Sequence, residues 1–145
     1  MGDIGASIST RMAEKFFATR GHGVLSLAND DDAYGVPVSY GYDPATERCI
    51  IHLVVEPSSK KVQFLETADT VTLTAYEYDA DAAWQSVIAT GSLVELSSDD
   101  VAEQAAAIFF TRAAYTDVTA RRESDPADVH WYELEIETLT GRGTE

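Results

Sequence analysis

Apolar and polar residues alternate through most of this chain with a period of two, the mark of half-buried strands. Val71, Leu73 and Ala75 alternate with Thr72, Thr74 and Tyr76, and similar runs predict strands over 23–29, 34–42, 48–55, 70–78, 84–96 and 130–140. Asn29-Asp30-Asp31-Asp32 and Asp43-Pro44-Ala45-Thr46 supply turns between the first three, and Gly91 inside the fifth predicts a bulge or bend. The period changes at Thr10–Arg20, where Met12, Ala13, Phe16 and Phe17 recur at helical spacing, Ser9 or Thr10 can cap and Gly21 can stop the helix. A second helix opens at Ser97-Ser98-Asp99-Asp100 and runs to about Arg112; residues 114–128 show no period and read as a loop or irregular helix. Six strands with hairpin-length connections and peripheral helices predict a mainly β (α+β) fold, a six-stranded antiparallel barrel in one domain over residues 1–145.

Composition narrows the classes of function. The 145 residues include 25 acidic and 10 basic ones, a formal net charge of −15. Phosphate backbones would be repelled, so no nucleic-acid partner is expected. Such acidity suits a halophilic protein, because concentrated salt screens the self-repulsion. The single cysteine, Cys49, cannot form an intrachain disulfide and sits in an apolar run, which predicts a buried core thiol in a reducing interior. With neither a signal-like nor a membrane-spanning stretch, the expected location is cytoplasmic, with no membrane partner.

Against that acidity, the segment Glu56-Pro57-Ser58-Ser59-Lys60-Lys61 concentrates two ammonium groups and two hydroxyls at an expected helix start, a combination that suits a phosphate. Two adjacent lysines are also compatible with a solvated turn. His52 lies among Ile50, Ile51, Leu53 and Val54 and reads first as a hydrogen-bonded sheet histidine. No histidine pair has metal-ligand spacing, so no metal site is expected. Tyr34, Tyr40, Tyr42, Trp84 and Trp131 could stack on a planar ligand or serve the core. Pro37 within Val36-Pro37-Val38-Ser39-Tyr40 cannot donate to a ladder and predicts an edge or bulge.

Taken in order, these pieces resemble the pyridoxamine 5′-phosphate oxidase-like, FMN-binding split-barrel family over about Met12 to Gly141. The pieces are the first helix, Gly23-Val24-Leu25-Ser26-Leu27, Val36-Pro37-Val38-Ser39-Tyr40 with Asp43, Ile50-Ile51-His52, Lys60-Lys61 with Phe64-Leu65, Trp84-Gln85-Ser86-Val87 leading to Gly91, and Thr140-Gly141-Arg142. The resemblance implies a homodimer with FMN at the subunit interface. Val36, Pro37, Val38, Ser39 and Tyr40 would line the isoalloxazine, partly through backbone groups. Ser59, Lys60 and Lys61, with Ser58, would hold the phosphate. Ser86 would contact flavin or ribityl oxygens, and Trp131 and Arg142 would reach the partner's cofactor. Enzymes that oxidise pyridoxamine phosphate carry an arginine and a lysine where Gly35 and Tyr40 stand here, and the C-terminal Arg-x-His motif is absent. The resemblance therefore points to the flavin-reductase-like and nitroimidazole-reductase-like branch, where a histidine recurs at the position of His52, the one catalytic candidate. It implies an oxidoreductase moving electrons between a reduced nicotinamide and a small-molecule substrate. The same barrel could serve a deazaflavin-dependent reductase or a non-catalytic flavin- or haem-binding protein.

Overall fold

In the computed structural model the described residues are 6–54, 63–65, 68–78, 83–96, 105–111 and 129–144. They form β1 (Ala6–Ser7), α1 (Thr10–Arg20), β2 (His22–Asn29), β3 (Asp32–Asp43), β4 (Arg48–Val54), β5 (Val71–Tyr78), β6 (Trp84–Leu96) and β7 (Val129–Gly143). Residues 105–111 are also helical. All strand pairings are antiparallel, in the order β1-β7-β4-β3-β2-β5-β6, and a further β6–β7 pairing closes strands β2 to β7 into a ring. This is the antiparallel barrel that the alternation implies, in the split-barrel form that the resemblance implies. The two-residue β1, which has too little pattern to be read from sequence, adds to the outer edge of β7 through Ala6↔Gly143 and Ser7↔Arg142.

Alternation fills the barrel. Leu25 and Leu27 of β2, Val38, Tyr40 and Tyr42 of β3, Cys49, Ile51 and Leu53 of β4, Leu73 and Ala75 of β5, Val87 and Ala89 of β6 and Leu134 of β7 are all buried in one cluster. Helix α1 joins that cluster through Ala13, Phe17 and Ala18. Ser9 caps it by accepting the Met12 N–H at 3.2 Å, and Gly21 ends it in the left-handed conformation. Phe17 stacks on Tyr40 with ring centroids 4.4 Å apart and meets Tyr42 edge-on at 5.2 Å.

Two features bend the barrel. The β6–β7 register shifts between Thr90 and Gly91, the bulge that Gly91 predicts. A Cβ at Gly91 would collide with the Glu135 carbonyl, so only glycine lets the two backbones close there. Between β3 and β4 the pairing covers only Tyr40↔Ile51 to Asp43↔Arg48, after which β4 continues along β7 alone.

Candidate functional site

The opening between β3 and β4 determines what the predicted flavin-lining segment can offer. Tyr40 donates its N–H to Gly21 O at 2.9 Å, so by antiparallel alternation Val38 and Val36 also turn their backbone groups toward β2. Pro37, opposite Val24, turns its ring nitrogen the other way, on the side where pairing with β4 has ended. The missing N–H therefore costs the ladder nothing, as the sequence implies. Side chains divide in the opposite sense. Val38 is buried and Val36 packs against the core, whereas Pro37 is exposed and Ser39 half-buried on the outer surface. The Tyr40 hydroxyl donates to Phe17 O at 2.7 Å, and burial pushes its pKa far above the usual phenol range. Tyr42 donates to Glu14 Oε1 at 2.9 Å and is likewise raised, first by burial and then by that hydrogen bond. Both rings serve the core, one of the two roles that their residue type leaves open.

Outward positions on β2, β3, β5, β6 and β7 form three rows. Ser39 pairs with His22, and Tyr76 with Ser86 and then Arg142. The next row runs Pro37, Val24, Thr74, Ile88, Thr140, and the third Gly35, Ser26, Thr72, Thr90, Thr138. A chain with 25 acidic residues places none on these three rows of five. Large side chains are left in the open here: Tyr76 is 54 % exposed, Tyr78 74 % and Ile88 42 %. Beside them the Trp84 N–H donates to Thr144 Oγ1 at 3.1 Å and Trp84 O accepts the Thr144 N–H at 3.0 Å, which ties the start of β6 to the end of β7. That clasp fixes the register in which Ser86 faces Arg142. Two residues expected at the site for separate reasons, Ser86 and Arg142, are thus adjacent across β6 and β7.

His52 and Trp131 are also cross-strand neighbours, on β4 and β7, with ring centroids 4.5 Å apart. Phe109 meets both at 5.3 Å, and Phe110 approaches Trp131 at 5.9 Å. Burial holds the His52 pKa below its ordinary value, so the ring is neutral at pH 7. Its partners are aromatic rings, and no hydrogen bond to its side chain occurs among the described residues. The expected hydrogen-bonded sheet histidine is therefore an aromatic-packed one.

Residues 105–111 produce this arrangement by lying across β3 and β4, with Ala105, Ile108 and Phe109 burying Ile50 completely. A Cβ on Gly41 would stand 2.6 Å from Ile108 O and 2.8 Å from Phe109 Cα, so the helix rests directly on the strand backbone. Nearby, Arg48 Nη2 meets Glu133 Oε1 at 2.8 Å, and that hydrogen bond raises the Arg48 pKa further. Cys49 is buried beneath this face, and burial, with Glu133 adding, pushes its thiol well above the usual range, making it inert. No metal-ligating cluster occurs among the described residues. Nor is any helix among them long and apolar enough to cross a membrane. Ser58, Ser59, Lys60 and Lys61 lie outside the described residues, which resume with residues 63–65, where buried Phe64 stacks on Tyr34 at 5.6 Å.

Two features escaped the pattern of residue types. The acid-free rows leave a trace in the sequence, since Thr72, Thr74, Thr90, Thr138 and Thr140 hold outward positions that an acidic chain could have given to Asp or Glu. The seat for residues 105–111 leaves a weaker one, a glycine between Tyr40 and Tyr42.

The family described as pyridoxamine 5′-phosphate oxidase matches residues 9–143, and the chain belongs to it. Among solved structures it is similar to a FAD-binding protein from Mesorhizobium loti, with 21 % identity, 98 % of each chain covered and a TM-score of 0.75. A candidate 5-nitroimidazole antibiotic resistance protein from Bacteroides thetaiotaomicron is 16 % identical over 99 % of this chain and 89 % of its own, with a TM-score of 0.72. A FAD and heme binding protein from Mycobacterium smegmatis is 15 % identical over 94 % of this chain and 72 % of its own, with a TM-score of 0.67. No curated protein matches.

Proposed function

We propose that this member of the pyridoxamine 5′-phosphate oxidase family is a homodimeric, single-domain flavoprotein, holding FMN where the acid-free faces of two copies meet. In this reading it passes electrons from a reduced nicotinamide to a small acceptor, in the cytoplasm of a salt-loving cell. The observation that carries the proposal is the acid-free face itself. A flavin is a flat apolar ring joined to an anionic phosphate, and carboxylates would oppose both parts. Exposed Tyr76 and Ile88 offer apolar contact, while Ser86 offers its hydroxyl to ring or ribityl oxygens. Of Val36–Tyr40, Pro37 and Ser39 turn their side chains to this face, since Val36, Val38 and Tyr40 point inward.

When bound, FMN supplies the hydride and electron chemistry. The chain's own residues bind, orient and exclude water. Lys60 and Lys61, with Ser58 and Ser59, would neutralise the phosphate, and Trp131 and Arg142 would reach the partner's cofactor. His52, neutral and packed between Trp131 and Phe109, sets the position of the Trp131 ring. It is not held as a proton donor.

The test is to replace Lys60 and Lys61 together by Ala and compare two ligands. Charge-assisted hydrogen bonds contribute about 1.5–3 kcal/mol each, so FMN affinity should fall at least ~10-fold while riboflavin binding barely changes. Equal loss for both ligands would remove the phosphate assignment. Mass spectrometry of the co-purified small molecule should find FMN; FAD would change the cofactor within the same reading, and a haem Soret band without flavin would overturn it.

A further inference from the structure

Six glycines stand in the described strands, and packing compels five of them. A Cβ on Gly23, Gly41, Gly91, Gly141 or Gly143 would come within 3.0 Å of another part of the chain. Gly35 in β3 differs. Its nearest neighbour for a Cβ is Val24 Cγ1 at 3.6 Å, an ordinary contact, and its φ lies outside the left-handed region. The residue is exposed, so neither space nor backbone geometry within the chain asks for glycine there. A glycine inside a strand forfeits stability that alanine would supply, and it marks a place where another body draws close to the backbone.

The peptide groups of Gly35 are also open. Tyr40 gives its N–H to Gly21 O, so the even-numbered residues of β3 bond to β2, and Gly35, opposite Ser26, turns its N–H and C=O the other way. A closed barrel would present β4 on that side, but the β3–β4 pairing covers only Tyr40 to Asp43. Among the described residues nothing bonds to either group. Pro37, the next residue with this orientation, has a carbonyl but no N–H. The outward neighbours Val24, Ser26 and Pro37 carry no charge, so an ion laid against them would lose water without gaining a partner.

We propose that Gly35 receives an uncharged flat ring bearing a carboxamide. The carboxamide enters the split, where it accepts the Gly35 N–H and donates to the Gly35 carbonyl, and the ring leans across the bare Cα. A reduced nicotinamide belongs to this class, so the inference rests on the flavin reading above and adds to it the place where the donor's ring is held. Glycine at 35 sets how closely that ring approaches.

The experiment titrates benzamide, and benzoate as its charged isostere, into the FMN-loaded protein at constant ionic strength. The amide resonances of Gly35 and of Ser26 opposite report binding, and Gly35→Ala identifies the first by its loss. Saturable shifts are expected with benzamide and not with benzoate. In Gly35→Ala, followed at Ser26, benzamide affinity should fall by about tenfold or more, while the melting temperature is equal or higher and FMN affinity is unchanged. An equal response to benzoate, or an unchanged benzamide affinity in Gly35→Ala, would overturn the inference. So would a lower melting temperature in that variant, since the chain itself would then pack on Gly35, or a lower FMN affinity, since the position would then be the flavin's. A protein that takes up no FMN yet still gives the saturable benzamide response would end the flavin reading and leave the Gly35 site standing.

Discussion

Two parts of the barrel's outer surface carry apolar side chains, and they are treated in opposite ways. Over β3 and β4 the chain lays its own residues 105–111 across the sheet, and Ile50 loses all contact with solvent. Over β5 and β6 nothing among the described residues covers Tyr76, Tyr78 or Ile88, and the surrounding rows are kept free of carboxylates. Burying apolar surface stabilises by about 25 cal/mol per Å², so an uncovered apolar face is an unused source of free energy. On a surface this acidic, rows without acid are the feature on which the proposed dimer rests. The contrast teaches that the helix-covered face belongs to folding; in the proposed function the bare face is the one that serves assembly and ligand binding.

The largest effect should come from the covered face. Gly41→Ala places a methyl group against Ile108 O and Phe109 Cα, which are backbone and cannot swing aside. Overpacking of this kind should destabilise by roughly 3 kcal/mol, or a melting temperature lower by about 6–12 °C. Calorimetry of the variant would check this, and an unchanged transition would show that the helix does not rest on Gly41.

The bare face should respond in the opposite sense. Ile88→Glu puts a charge on an exposed position, so the monomer should keep its fold while the dimer weakens by about 2 kcal/mol or more, some 30-fold in dissociation constant. Sedimentation equilibrium would measure that constant. A variant that unfolds without losing dimers would reverse the two roles.

A smaller effect sharpens the account of the covered face. Burial lowers the His52 pKa, so the folded protein resists a proton that the unfolded chain accepts near pH 6.5. Stability associated with His52 is therefore full at neutral pH, falls as pH drops below about 6.5 and levels off beneath the folded value. His52→Gln should flatten this part of the profile of melting temperature against pH. A slope that persists in the variant would assign it to other groups.

Much of this arrangement was legible in the residues. Strict alternation specified the six long strands because a one-residue slip would turn every core side chain outward. The Ser9 cap, the Gly21 stop and the Gly91 bulge were legible because each relies on local backbone chemistry. Sequence type could not say which way an aromatic faces, and so Tyr40 and Tyr42 were open to either role until Phe17 and Glu14 were seen to engage them. The acid-free rows depend on register between strands distant in sequence, which no local pattern encodes. Of the expected site, Ser86 with Arg142 and His52 with Trp131 are brought together, whereas Ser58, Ser59, Lys60 and Lys61 fall outside the described residues.

The central claim is that the bare face binds flavin by meeting a second copy of itself. Light scattering on the FMN-loaded protein in high salt tests it most directly, because mass and bound flavin are read from the same peak. The account predicts about twice the 15.8 kDa chain mass with one FMN per chain, and loss of flavin together with the dimer in Ile88→Glu. A monomer that retains FMN tightly would contradict it.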